Sequence, residues 1–393
     1  MDADIAIVGA GIVGSAAAYF LSSSSPDPKK KIVLIDRAFT PLKGSTGHAP
    51  GFVGQFNVSD VLTRLAIDTV NEYVQIPDGF DTVGGLEIAT SQEGADKLRS
   101  RYESAKAIGM PAELISPQQA AQFAPELVRE EETVAALYFP KDGTANAARI
   151  TSFYQEKARA NGVVFLEADV QEILYDAGHA KGVQTSGGLV QAGTVVLATG
   201  VWATDLCKFD VPIPIIPVGH PYMYGPRHTQ PKTCKMPFVR WPEHHVYARD
   251  HGSFYGLGSY NHAPVCVKPE ETAIGTWIEQ FDSTLEDGRA LLPISHELTP
   301  SDKFNGIFSM TPDNLPLVGS VSSAPGVYLA AAIWVTHAAG TAKFLTGLIQ
   351  GAPVDETIKA KLDPNRFRGR DRESLKQESL DGYNNIYKTG NKQ

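Results

Sequence analysis

The stretch that decides the fold is Ile5–Gly14, which reads IAIVGAGIVG. A short apolar run followed by Gly9-x-Gly11-x-x-Gly14 predicts a buried strand that turns directly into a helix. Each glycine has a mechanical role: a tight turn at Gly9, close approach of the backbone to a pyrophosphate at Gly11, and close helix–strand packing at Gly14. The N-terminus of the following helix offers free N–H groups and a positive dipole end to phosphate.

The next strand supports this interpretation. Residues 31–35 (KIVLI) lead to Asp36, at the position where an acidic side chain binds a ribose diol. The glycine motif alone is weak evidence, because a glycine turn that only packs has the same pattern. A strand before it, a helix after it and an acid at the end of the second strand together predict a dinucleotide site.

Length, charge and cysteine content exclude several protein classes. The chain has 393 residues, enough for two domains, with 42% hydrophobic and 20% charged residues, as in ordinary globular proteins. A net charge of −9 and a pI of about 5.6 argue against a nucleic-acid partner. The three cysteines form no CxxC pair, so we expect neither a disulfide framework nor a zinc site. Adjacent residues of a strand point to opposite faces, so we expect no metal site at His244 and His245.

The longest apolar run also argues against a membrane protein. Residues 327–349 contain His337, Lys343 and two glycines, which predicts a strand, a turn and a helix rather than a membrane span. The N-terminus shows no signal-peptide pattern, and we expect a cytoplasmic protein.

Changes in pattern along the chain predict a discontinuous α/β nucleotide-binding domain with an inserted antiparallel-sheet substrate domain. One helix is expected at residues 270–285. The predicted boundaries are 1–85, 145–211 and 305–360 for the nucleotide-binding domain, 86–144 and 212–304 for the substrate domain, and 361–393 for a C-terminal tail.

A glycine motif alone does not separate NAD from FAD, but two later segments do. Ala198-Thr199-Gly200 ends a second buried strand, and residues 311–319 read TPDNLPLVG. With the N-terminal motif, these segments resemble the FAD-dependent amine oxidases of the D-amino-acid-oxidase superfamily. The resemblance implies a GR2-type, Rossmann-like FAD domain in which the helix after residue 337 closes over the flavin ring.

The resemblance is sharpest at residues 44–51, which read GSTGHAPG. This segment is similar to the flavin-attachment segment of dimethylglycine oxidases and dehydrogenases, which implies that His48 is bonded covalently to the flavin 8α-methyl group. Similar segments continue in order to residue 367. The resemblance implies these FAD-binding residues: Gly9, Gly11, Gly14, Asp36, Arg37, Ser45, Thr46, His48, Val170, Thr199, Gly200, Trp202, Trp334, Val335 and Thr336.

The same resemblance implies His220 and Tyr247 as the catalytic pair. Amine oxidation needs an unprotonated substrate nitrogen, and a neutral histidine can take the proton directly or through water while a tyrosine hydroxyl orients it. A hydrogen-bonded core histidine is the alternative for His220. Tyr260, Trp334 and His337 are the candidate substrate-binding residues, with core packing as the alternative for the first two.

The residue that would hold a substrate carboxylate is left open. Arg249, Lys303 and Arg240 are the candidates, and no local pattern favours one of them.

The reaction implied by the resemblance is oxidative N-demethylation of a small secondary or tertiary amine, of the dimethylglycine or sarcosine type. A hydride leaves the N-methyl carbon, and water hydrolyses the resulting iminium to formaldehyde. Dioxygen is the expected electron acceptor, giving hydrogen peroxide. The chain ends where the relatives' folate-binding half begins, so we expect no folate domain.

Three other functions remain open. The first is an oxidase that deaminates a primary D-amino acid or glycine, or oxidises a ring amine. The second is a flavin subunit that works only with a folate-binding or electron-transfer partner. The third is a nicotinamide-binding module.

Overall fold

The computed structural model describes residues 1–24, 30–206, 209–229, 235–269 and 274–386. The strands are β1 (Ile5–Val8), β2 (Ile32–Asp36), β3 (Phe52–Val53), β4 (Phe80–Asp81), β5 (Gly85–Ala89), β6 (Glu113–Ile115), β7 (Ala135–Phe139), β8 (Gly143–Ala145), β9 (Val164–Glu167), β10 (Val170–Asp176), β11 (His179–Thr185), β12 (Gly188–Gln191), β13 (Thr194–Leu197), β14 (Ile216–Tyr224), β15 (Phe238–Trp241), β16 (Val246–Asp250), β17 (Tyr255–Ser259), β18 (Asp302–Met310), β19 (Leu317–Ser320) and β20 (Val327–Ala331).

The α-helices are α1 (Ile12–Ser23), α2 (Asp60–Tyr73), α3 (Gln92–Ala107), α4 (Pro117–Phe123), α5 (Ala147–Ala160), α6 (Ala203–Leu206), α7 (Asp282–Ala290), α8 (Ala338–Gln350), α9 (Glu356–Leu362) and α10 (Arg372–Asn384). Within the described residues, no helix is long and apolar enough to cross a membrane.

A six-stranded sheet in the order β19-β20-β13-β1-β2-β9 carries the N-terminal glycine motif. All its neighbours pair in parallel except β19, which runs antiparallel to β20. Alternate residues of β1 face two different cores: Ile5 and Ile7 pack on the side of α1, α5 and α8, while Ala6 and Val8 pack towards the β10-β11-β12 sheet. Both faces of the sheet are covered, which explains why its strands are almost continuously apolar.

The second sheet has eight strands in the order β18-β14-β17-β16-β15-β5-β7-β6. Two separate segments of the chain build it, residues 85–139 and 216–310. Its described pairs are antiparallel except β5 with β15, which pair in parallel. This pair joins the two segments, which are not connected by a hairpin, so nothing requires them to run in opposite directions. The domain boundaries themselves stay a proposal.

The prediction of a helix at residues 270–285 is wrong in its position. Gly275 has a φ of +100°, which is incompatible with a right-handed helix, and α7 begins only at Asp282 and continues to Ala290. A single 3-10 turn, Glu279–Phe281, precedes it. Residues 270–273 lie outside the described residues.

The C-terminal segment adds two helices to the sheets. In α10 the Asp371 carboxylate accepts a hydrogen bond from the Ser374 N–H and caps the helix. Leu375 and Tyr383 of α10 are fully buried, and Tyr383 packs against residues of β14 and β18. The sequence pattern did not indicate that this segment reaches the interior.

Candidate functional site

A cavity of about 2080 Å³ lies between the carboxyl ends of the parallel strands and one face of the eight-stranded sheet. Ligand sites in open α/β sheets form at such strand ends. Among the predicted site residues, Gly14 does not line the cavity. The others do: Gly9, Gly11, Asp36, Arg37, Ser45, Thr46, His48, Val170, Thr199, Gly200, Trp202, His220, Tyr247, Tyr260, Trp334, Val335, Thr336 and His337.

The glycine turn forms one end of the cavity from backbone alone. Gly9 has a φ of +101°, and a Cβ there would lie 2.3 Å from the carbonyl oxygen of Ala198. A Cβ on Gly14 would lie 1.8 Å from the carbonyl oxygen of Gly9, so its role is packing. Gly11 at the N-terminus of α1 has no side chain, and the Ile12 N–H behind it donates to Thr46 Oγ1 at 3.2 Å. The exposed backbone and the positive helix end suit a pyrophosphate.

Asp36 lies beside this turn and is held by two backbone groups. Its Oδ2 accepts a hydrogen bond of 2.6 Å from Ala10 N, and its Oδ1 accepts one of 3.1 Å from Ala38 N. A carboxylate has about four lone-pair positions, so the fixed side chain can still accept from a ribose diol. Next to it the Arg37 guanidinium lies 4.7 Å from the centre of the Trp202 ring.

The loop with His48 forms a 3-10 turn, Ser45–His48, along the cavity. Ser45 Oγ donates to the carbonyl oxygen of Ile307 at 2.9 Å and ties the loop to β18. His48 Nδ1 lies 3.1 Å from the carbonyl oxygen of Gly44. A carbonyl oxygen only accepts, so Nδ1 carries a hydrogen, which makes Nε2 the lone-pair nitrogen of the neutral ring.

His220 and Tyr247 meet on the face of the eight-stranded sheet. The distance from His220 Nε2 to Tyr247 Oη is 2.5 Å. A Cβ on Gly258, the cross-strand neighbour of Tyr247, would lie 2.4 Å from the Tyr247 hydroxyl, so the glycine makes room for the tyrosine ring. Asn305 Oδ1 accepts a hydrogen bond of 2.8 Å from His220 N and fixes the backbone of β14.

His220 has a second tyrosine partner that the sequence did not reveal. Its Nδ1 lies 2.6 Å from the hydroxyl of Tyr383, on α10. Burial is the main cause that holds the pKa of His220 well below its usual value, with the nearby His262 as a second cause. His220 is therefore neutral at pH 7. No motif could have indicated Tyr383, because it lies 163 residues further along the chain.

Aromatic rings surround this pair. The ring centres of Tyr260 and His220 are 4.4 Å apart, and Phe308 contacts both Tyr260 at 5.7 Å and Trp334 at 5.6 Å. Nearby, burial lowers the pKa of His337 to about 4, so this histidine is also uncharged at pH 7. The wall suits a small, partly apolar amine.

Of the three basic candidates, Arg240 lines the cavity. It is the cross-strand neighbour of Tyr247, and its guanidinium lies over Gly54, 2.8 Å from the position of a Cβ there. Arg249 instead donates to the carbonyl oxygen of Pro50 at 2.7 Å. Lys303 pairs with an aspartate at 2.6 Å outside the cavity.

A buried ion pair lies on the side of Arg240 that faces away from Tyr247, towards β5. Glu87, its neighbour on β5, accepts a hydrogen bond of 2.7 Å from Arg101, and both side chains are nearly inaccessible. Burial raises the pKa of Asp142 to about 7, although the Gln55 N–H and Arg240 oppose this shift. Arg101 thus balances Glu87, and Asp142 is only partly ionised near neutral pH.

The described residues contain no group of three potential metal ligands. His244 Nε2 lies 2.7 Å from Thr90 Oγ1, and His245 adopts a left-handed conformation with a φ of 55°. The His244 ring thus bonds a hydroxyl on a distant part of the chain.

A comparison of the sequence with protein-family models agrees with the nucleotide site that the cavity geometry indicates. The model of the DAO family, described as FAD dependent oxidoreductase, matches residues 4–348. The chain belongs to this family. The strand-end cavity, the turn built without side chains and the anchored Asp36 fit the FAD that the family requires.

Two curated relatives are similar along most of this DAO-family chain. Dimethylglycine dehydrogenase of Rattus norvegicus, a mitochondrial protein, is 26% identical over 391 residues, which are 93% of this chain and 45% of the relative. Sarcosine dehydrogenase of Homo sapiens, also mitochondrial, is 26% identical over 347 residues, 83% of this chain and 37% of the relative. The chain thus spans less than half the length of these relatives.

A solved structure agrees on the fold. The L-proline dehydrogenase from P. horikoshii has a TM-score of 0.83 and 22% identity, with 93% of this chain and 98% of that chain covered. The predicted family and the predicted α/β fold class are confirmed.

Removing the Asp36 carboxylate should weaken noncovalent FAD binding. A charge-assisted hydrogen bond contributes about 1.5–3 kcal/mol, so Asp36→Ala in a His48→Ala background should lower FAD affinity roughly tenfold to a hundredfold. Asp4→Ala is the matched control, because the Asp4 carboxylate accepts from Lys31 N at 2.7 Å at the opposite end of these strands. Fluorescence titration with FAD measures the affinity of both variants. An equal effect in both would mean that Asp36 does not bind the ribose.

Proposed function

We propose that the protein catalyses FAD-dependent oxidative N-demethylation of a small secondary or tertiary amine, of the dimethylglycine or sarcosine type. The observation that carries the proposal is the hydrogen bond between a neutral His220 and Tyr247 on the wall of the FAD-sized cavity. The names of the two curated relatives, which act on dimethylglycine and sarcosine, support the substrate class. The products are formaldehyde and the demethylated amine.

The task of the protein side chains is to remove a proton before oxidation. FAD, when bound, supplies the acceptor for the electron pair of the substrate C–H bond. A protonated amine has no lone pair to assist the loss of that electron pair. Both ring nitrogens of His220 are engaged by tyrosine hydroxyls, so the ammonium proton reaches its Nε2 through the Tyr247 hydroxyl. The low-dielectric wall keeps His220 neutral and ready to accept it.

Arg240 is our candidate for the substrate carboxylate. It shares the sheet face with Tyr247, so a short amino acid can bridge a guanidinium and a proton-accepting hydroxyl. An arginine fork suits a planar carboxylate better than an ammonium does.

An aerobic assay against a panel of N-methyl amines and primary amino acids tests the proposal. Dimethylglycine or sarcosine should give formaldehyde, and peroxide in equal amount if dioxygen accepts the electrons. Ammonia from glycine or a D-amino acid would support deamination instead. Flavin reduction without oxygen consumption would support a dehydrogenase that passes electrons to another acceptor.

The proposed covalent attachment of FAD at His48 has its own test. The lone pair at His48 Nε2 and the position of the loop on the cavity support a bond from this nitrogen to the flavin 8α-methyl group. The purified protein should stay yellow after acid precipitation and washing, while His48→Ala should release its FAD and turn over more slowly. His179→Ala, on the exposed edge of β11, should behave like the natural protein. Colour in the supernatant of the natural protein would contradict the covalent bond.

The role of His220 predicts a pH-dependent defect. His220→Ala should slow flavin reduction by dimethylglycine roughly 10²–10⁴-fold at pH 7, which is the usual contribution of one general base. The defect should shrink as pH rises, because more of the amine then arrives unprotonated. Tyr247→Phe should have a smaller effect, since it leaves His220 Nε2 open to the cavity. Anaerobic stopped-flow measurements across pH check both variants.

Two further variants make this test specific. His220→Gln keeps hydrogen bonds to the neighbouring hydroxyls but cannot bind a proton, so it should show the same pH-dependent defect. His228→Ala changes a histidine that contacts Tyr255 outside the cavity, and it should reduce flavin at the normal rate. A defect of His220→Gln that is constant across pH would assign His220 to substrate positioning.

A further inference from the structure

We propose that a hydrogen-bonded chain, Tyr247–His220–Tyr383–His262, carries the substrate's ammonium proton from the cavity to the protein surface. Tyr383 acts through His220 as a positioning residue in this chain. The proposal rests on the proposed function and adds to it a route by which the proton leaves the buried site.

The chain is continuous in distance. Tyr247 Oη is 2.5 Å from His220 Nε2, His220 Nδ1 is 2.6 Å from Tyr383 Oη, and Tyr383 Oη is 2.8 Å from His262 Nε2. The first three members of the chain are buried, and only the last one is partly exposed. His220 is 2% exposed and Tyr383 is 0% exposed, whereas His262 is partly exposed. The chain therefore connects the cavity wall with the partly exposed His262.

The direction of every hydrogen bond follows from one backbone group. His262 Nδ1 lies 2.9 Å from the carbonyl oxygen of Ala263, which can only accept, so Nδ1 carries the hydrogen. His262 Nε2 then accepts from the Tyr383 hydroxyl, whose oxygen accepts from His220 Nδ1–H. This leaves His220 Nε2 as an acceptor for the Tyr247 hydroxyl. All three donors thus point from the cavity towards the surface.

This order allows a balanced proton transfer. The substrate N–H bond breaks as its proton binds Tyr247 Oη, and the Tyr247 proton moves to His220 Nε2. The Nδ1 proton of His220 moves to Tyr383 Oη, and the Tyr383 proton moves to His262 Nε2. His262 then releases its Nδ1 proton to water. Each group gains one proton and loses one, no electron moves, and one positive charge passes from the substrate to the solvent.

The side chains around His220 and His262 do not stabilise a positive charge on either ring, so the transferred proton moves on. Among the described residues, the titratable side chains found in contact with the two histidines are Tyr247, Tyr260 and Tyr383, and none of them is a carboxylate. Phe281 packs against the His262 ring at 4.4 Å. Burial lowers the pKa of both histidines, so neither is a stable resting place for the positive charge.

The direct test is Tyr383→Phe in the holoenzyme, which removes one hydroxyl and keeps the ring. Without the relay, His220 must keep the proton it receives, so flavin reduction by dimethylglycine at pH 7 should slow by about tenfold or more. The rate should approach that of the natural protein as pH rises above the pKa of the substrate amine. His262→Gln, which accepts from Tyr383 but cannot pass a proton on, should reproduce this pH profile.

The control is Tyr154→Phe. Tyr154 is equally buried, lies on α5 away from the cavity, and its hydroxyl has no hydrogen-bond partner among the described residues. It should reduce flavin at the normal rate at every pH. An unchanged rate in Tyr383→Phe, or a defect that does not vary with pH, would overturn the relay.

Histidine tautomers give a readout that does not depend on turnover. In ¹⁵N NMR spectra, both His220 and His262 should carry hydrogen on Nδ1 at pH 7, and Tyr383→Phe should disturb this at His220. Hydrogen on Nε2 of either histidine in the natural protein would overturn the chain. If the protein oxidises none of the N-methyl amines, the proposed function fails, and the tautomers alone then decide whether the hydrogen-bonded chain exists.

Discussion

Backbone packing at the first glycine turn is the constraint on which the rest of the structure depends. Gly14 lies so close to the Gly9 carbonyl that any Cβ would collide with it, and a Cβ on Gly9 would likewise collide with the Ala198 carbonyl. These contacts bring the ends of β1 and β13 and the start of α1 together without intervening side chains. They also leave the N-terminus of α1 open at the cavity, where a phosphate can reach backbone N–H groups.

On the opposite wall of the cavity, which the eight-stranded sheet forms, a glycine again makes room for a close contact. Gly258 gives Tyr247 the space to lean over the eight-stranded sheet and reach His220. Arg240 lies on the same face, one strand further, because cross-strand partners share a side of the sheet. The register of four neighbouring strands, β14, β17, β16 and β15, therefore sets the spacing between Arg240, Tyr247 and His220.

Burial then determines what these groups can do. Desolvation keeps His220 and His337 uncharged near neutral pH, while Arg101 balances the buried Glu87. The wall beside the proposed substrate thus places the neutral base His220 on the same sheet face as the guanidinium of Arg240. Such an arrangement suits a zwitterionic amine that must lose its ammonium proton before it is oxidised.

The sequence by itself determined the family, the α/β class and the nucleotide end of the cavity, because strand, glycine turn and helix lie within Ile5–Ser23 and form a local pattern. Resemblance supplied His220 and Tyr247, whose roles stay predictions. Only the tertiary structure decided that Arg240 lines the cavity and that Tyr383 reaches His220. That last contact joins residues 163 positions apart, through the packing of α10 on two strands. Contacts made by folding at such separations leave no periodicity or spacing in a single sequence.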